Sequence, residues 1–182
     1  MVHFSNYLDD LTMSKLNALL TEGKLFQFAD LEKETRLEGI NSGVYTIWMH
    51  DGELFLYAGM SGKAMAQRLK SHNSGMRSDS NFCTYVADRF ILKGLTDEQI
   101  SQIAEGRLSM DNLIRDFIRQ NCSYRVIPTD TEEEAKRIED EIRWGDNEHM
   151  PPFLNPRRKR SPLLRAWING DQKRRLNLGS TN

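Results

Sequence analysis

Cysteine is nearly absent from these 182 residues, with Cys83 and Cys122 the only two. Two thiols cannot build a disulfide framework or a four-cysteine zinc site, and a reducing cytoplasm is the expected compartment. Long apolar runs are missing as well. Nothing approaches the roughly 18 residues of a membrane span, so no membrane partner is expected. The opening stretch, MVHFSNYLDDLTMSKL, lacks the basic start and apolar block of a secretory leader. Net charge is also small, at −1, which argues against a polyanion binder that works through overall charge. What is present, 38% hydrophobic and 28% charged residues, is the composition of a globular domain able to bury a core.

The small net charge hides a polarised chain. Residues 96–150 carry 7 Lys/Arg against 14 Asp/Glu, a net −7, and residues 151–182 carry 8 against 1, a net +7. The C-terminal run Arg157, Arg158, Lys159 and Arg160 is therefore a candidate nucleic-acid contact, against the plainer reading of a solvated basic tail.

Three segments follow from the pattern. Residues 1–40 read as a helical N-terminal extension, with Leu16, Leu19 and Leu20 at helical spacing. Residues 41–156 read as one α/β domain, and 157–182 as the basic tail. Within the domain, 43–59 is a hairpin, and SGKAMAQRLKSHNSG is a helix that stops near its final glycine. NFCTYVADRFILKGL fits strand and helix alike. A helical insertion over about 96–120 is marked by a Thr96–Gln99 capping box and by Ser109 ahead of the Leu113, Ile114, Phe117, Ile118 stripe. SYRVIPT alternates as a strand, and Thr131 with Glu134 opens a last helix.

The hairpin GVYTIWMHDGELFLYAG places a tyrosine on each side of an Asp-Gly turn. A three-residue loop over His50-Asp51-Gly52 sets Tyr45 opposite Tyr57 on one sheet face. A two-residue Asp51-Gly52 loop pairs Tyr45 with Ala58 and sends the phenols to opposite faces. Both loops fit the sequence. Since only the first makes one site, the expected turn is the three-residue one, with positive φ at Gly52, Met49 paired with Glu53 and Tyr45 across from Tyr57.

These residues resemble the GIY-YIG endonuclease family. Its two namesake tripeptides stand here as Gly43-Val44-Tyr45 and Tyr57-Ala58-Gly59. KAMAQRLKSH is similar to the family's arginine helix, with Arg68. AKRIEDEIRW is similar to its metal-binding helix, with Glu139, and PPFLNP supplies Asn155. The resemblance runs from about Gly43 to Asn155 and implies a small mixed three-stranded sheet flanked by helices. It also implies a metal-dependent endonuclease on DNA, in which Tyr45 activates water, Tyr57 orients it or contacts phosphate, and Asn155 supports the site. Val44 and Ala58 replace the family's isoleucines and keep small apolar packing. The alternative is a nucleic-acid-binding module without catalysis, or a subunit of a larger DNA-processing complex.

The chemistry of the residue types agrees. Tyrosine is a poor base at its ordinary pKa of about 10 unless a nearby cation favours the phenolate. Arg68 offers a planar fork of donors that matches phosphate, and His72 lies one turn beyond it, placed to donate to phosphate or shuttle a proton. Lys63 is a candidate to touch substrate or assist Tyr45, against a solvated lysine. At about 100° per residue, Ala135, Ile138 and Ile142 make one buried stripe, with Glu139 at its margin and Asp140 and Glu141 farther away. A carboxylate so placed would hold one largely hydrated hard cation, Mg2+ or Mn2+. GMSGKA lacks the spacing of a nucleotide-binding P-loop, so Gly59 is read instead as room for substrate beside the backbone.

Overall fold

The structure, a computed structural model, describes Leu20 and residues 23–49, 52–144 and 151–155. Its centre is one antiparallel sheet of four strands: β1 (Phe26–Gln27), β2 (Ser42–Met49), β3 (Leu54–Ser61) and β4 (Cys122–Thr129), in the order β1-β4-β2-β3. Among the described residues it is accompanied by the α-helices α1 (Met65–Asn73), α2 (Asn81–Val86), α3 (Asp97–Ala104), α4 (Met110–Asn121) and α5 (Glu132–Trp144).

β2 lies between β4 and β3, and all eight of its residues are buried. Its β-branched and aromatic side chains suit a strand covered on both faces. On one face Tyr45, Ile47, Met49, Leu56, Tyr57 and Tyr124 pack against Phe28 and Leu31, and against Met65, Leu69, Phe82, Cys83, Ile114 and Ile118 from α1, α2 and α4. On the other face Val44, Trp48, Phe55, Ala58 and Ile127 meet the Ala135, Ile138, Ile142 stripe of α5. The sheet is thus the middle layer of three.

Two expectations about the sheet are corrected. It has four strands instead of three and is antiparallel throughout instead of mixed. The extra strand pairs Phe26 with Tyr124 and Gln27 with Ser123. Two residues carry no period that sequence could reveal, and what fixes them is the stacking of Phe26 on Tyr124, ring centres 5.7 Å apart. Of the extension expected to be helical, Leu20 is helical. Residues 23–40 instead form β1 and two 3-10 turns, Phe28–Lys33 and Thr35–Leu37, anchored by buried Phe28, Leu31 and Leu37.

The capping signals hold. Thr96 and Gln99 exchange both bonds of a capping box, and Ser109 caps α4 by accepting from the Asn112 amide. Thr131 accepts from the Glu134 amide at 3.1 Å, while the Glu134 carboxylate reaches the Asp130 amide instead of Thr131's own. The ambiguous stretch is helical from Asn81 to Gly94. Ser80 caps α2, which loosens into a π-helical turn over Ala87–Ile91.

Candidate active site

The hairpin register decides where the tyrosines fall. Met49 pairs with Leu54 and Trp48 with Phe55, then Ile47 pairs with Tyr57 and Tyr45 with Gly59. The expected Met49–Glu53 and Tyr45–Tyr57 pairings are therefore not formed. Near the turn the register is the one that would have separated the phenols. A bulge at Leu56 restores the parity by inserting one residue, so Leu56 and Tyr57 both enter the same core as Tyr45. The two rings stack diagonally, 6.3 Å apart and 19° from parallel. Gly52 takes the expected positive φ, +100°, while His50 and Asp51 lie outside the described residues.

Gly59, directly across from Tyr45, has a different role from the one expected. A Cβ there would overlap the Tyr45 hydroxyl and ring. The bare backbone is occupied by Tyr45, not held open for a ligand.

Two groups converge on the Tyr45 hydroxyl. Arg68 Nε donates to it at 3.1 Å, and His72 Nε2 lies 2.7 Å away. His72 Nδ1 in turn sits 2.6 Å from Ser80 Oγ. One turn of α1 separates Arg68 from His72, so the helix presents both to one oxygen. Tyr45 and His72 have no exposed surface. Burial, helped by the Arg68 charge, pulls the His72 pKa down to about 3, so the imidazole is neutral at pH 7.

The expected easy phenolate is not found. Burial, reinforced by the neighbouring Tyr57 phenol and the Glu139 charge, pushes the Tyr45 pKa well above its ordinary value, outweighing Arg68. Tyr57 is raised too, first by burial. Burial works against the Arg68 cation, but the two phenols beside it prevail and its pKa rises.

Glu139 comes from α5, on the other face of the sheet, yet its charge bears on both phenols. It is half-buried at the edge of the Ala135–Ile138–Ile142 stripe, as its helical angle required. Glu141 is exposed, but Asp140 is half-buried too and closer to the interior than its angle suggested. Glu139 Oε1 accepts from Arg143 Nη1 at 3.2 Å, and Arg143 Nε donates to the Asn155 carbonyl at 3.0 Å. Asn155 then clamps β3: its Oδ1 accepts from the Ala58 amide at 3.1 Å, and its Nδ2 donates to the Ala58 carbonyl at 2.6 Å. Phe153 and Leu154 donate backbone bonds to Phe55 and Leu56, so this segment covers the edge of β3.

Tyr45, Tyr57, Arg68, His72, Glu139 and Asn155 thus form one connected neighbourhood from five stretches of chain. Lys63 is exposed in the turn between β3 and α1, and Arg157, Arg158, Lys159 and Arg160 lie outside the described residues. Two participants went unnoticed in the sequence. Ser80 stands just ahead of the stretch that fits strand and helix alike, whereas Arg143 carries a usable signal, a cation four residues after Glu139 on one helix.

Among the described residues no helix is long and apolar enough to cross a membrane, and no group of three or more His, Cys, Asp or Glu side chains is placed to hold a metal ion. Comparisons with protein-family models, with curated proteins and with solved structures returned no match.

Proposed function

We propose that this chain is a GIY-YIG-type endonuclease that hydrolyses DNA phosphodiester bonds. The observation that carries the reading is the Tyr45 hydroxyl, held between the Arg68 guanidinium and the neutral His72 ring. A phenol flanked by a fixed cation and a proton acceptor is an arrangement that general-base chemistry can use.

In this reading Arg68, half-buried and always charged, binds the scissile phosphate and offsets the negative charge that grows on it. The attacking water gives a proton to Tyr45 Oη as the Tyr45 proton passes to His72 Nε2, a transfer that burial of the ring opposes and that must be concerted with attack on phosphorus. The water oxygen bonds to phosphorus, the bridging P–O bond breaks, and the leaving oxygen takes a proton from solvent. Arg68 holds the phenolate character that develops on Tyr45 during the transfer. Tyr57, stacked on Tyr45, orients the water.

A hard cation such as Mg2+ or Mn2+ keeps most of its water and needs one or two carboxylates plus substrate oxygens. A single half-buried carboxylate fits that requirement and does not fit a tetrahedral zinc site. Glu139 would hold the ion, which would supply Lewis-acid stabilisation of the phosphate.

The zero exposure of Tyr45 favours a second reading, in which the trio ties β2 to α1 in a nucleic-acid-binding module without catalysis. One experiment separates them. Supercoiled, branched and single-stranded DNA are incubated with the chain, with and without Mg2+, alongside Tyr45→Phe and Glu139→Gln. Nuclease action predicts cation-dependent cleavage that falls at least about a hundredfold in Tyr45→Phe, the usual scale for removing an acid-base group, with DNA affinity retained. DNA binding with no cleavage under any condition would leave the second reading standing.

A further inference from the structure

Arg143 is the charged residue of this cluster that neither the hairpin nor the α1 chemistry explains. Its side chain is 24% exposed and that of Glu139 is 15% exposed, so their ion pair is drawn partly out of water. The pair closes one helical turn, from Nη1 to Oε1 at 3.2 Å. The same guanidinium donates through Nε to the Asn155 carbonyl, which fixes its direction from a second element. Its charge also reaches Tyr57, where it works against the effect of burial on the phenol. An arginine on an open helix face needs no such double anchoring.

Resting on the proposed nuclease reading, we infer that Arg143 is the resident counter-cation of Glu139, held there in competition with a divalent ion for the same carboxylate. The physical basis is direct. An ammonium or guanidinium a few ångströms away repels an incoming divalent cation, and it occupies the carboxylate oxygen that the cation needs. The pair sets a positive charge against Glu139 beside two phenols, and it lowers affinity for a free ion. Arg143 is therefore a positioning residue, acting on the cation through Glu139.

The test uses Mn2+ alone, titrated into the full chain without DNA and followed by the electron-spin-resonance signal of free ion. Arg143→Gln removes the charge but keeps a donor for Asn155, and should bind Mn2+ about tenfold more tightly than the unaltered chain, on the scale of one like charge removed from a half-exposed site. Arg143→Lys keeps the charge and should stay within about threefold of the unaltered chain. Adding Glu139→Gln to either variant should abolish binding. Unchanged or weaker binding in Arg143→Gln overturns the inference. So does equal tightening in both variants, binding that survives Glu139→Gln, or no Mn2+ binding by any of these proteins. Because the readout involves no DNA, failure here is distinct from failure of the nuclease reading, which the cleavage assay decides.

Discussion

His72 makes acid sensitivity a direct reading of the candidate site. The ring is wholly buried, and its pKa falls from an ordinary value near 6.5 to about 3 on folding. Between those values the unfolded chain binds a proton that the folded chain does not. Stability must therefore rise with pH there: the contribution is complete above about pH 6.5 and is lost as pH falls toward 3. From pH 7 to pH 5 the loss from this residue alone is about 2 kcal/mol, taking about 1.4 kcal/mol per unit below 6.5. At a typical slope that lowers the urea midpoint by roughly 1 M. The assay is urea unfolding at both pH values for the unaltered chain and for His72→Gln. The variant is less stable at pH 7, because it disturbs the bonds to Tyr45 and Ser80, but its stability should change about 2 kcal/mol less between the two pH values. Equal changes in both proteins would mean that His72 is not held neutral, and the proton-acceptor role given to it would fall as well.

Gly59→Ala drives a methyl group into a Tyr45 ring pinned by Arg68 and His72, so thermal or urea unfolding should show a loss of about 1–3 kcal/mol. A neutral result would mean that the ring is free to move aside. Asn155→Asp keeps the acceptor for the Ala58 amide but sets a carboxylate against the Ala58 carbonyl. It should cost about 1–3 kcal/mol in the same assay, and hydrogen exchange along β3 should quicken. Replacing Arg157, Arg158, Lys159 and Arg160 together should reduce the slope of log DNA affinity against log salt by about 0.9 for each phosphate no longer neutralised. An unchanged slope would return the segment to a solvated tail.

Sequence alone determined the elements whose signal is local. Capping at Thr96, Ser109 and Thr131 needs residues only three or four apart, and the Ala135–Ile138–Ile142 stripe is a helical period that also fixes Glu139 at its margin. Namesake tripeptides and helix spacing brought Tyr45, Tyr57, Arg68, Glu139 and Asn155 into view for the same reason. Tertiary structure decided whatever depends on another stretch of chain. β1 exists because Phe26 stacks on Tyr124, far along the chain. The tyrosines share a face because a bulge at Leu56 corrects the turn's register, and a bulge leaves no mark in a run where every residue is apolar. Gly59 is bare because Tyr45 lies across it. The ionisation of Tyr45 and His72 is set first by burial, a property of the packed core that no local pattern contains.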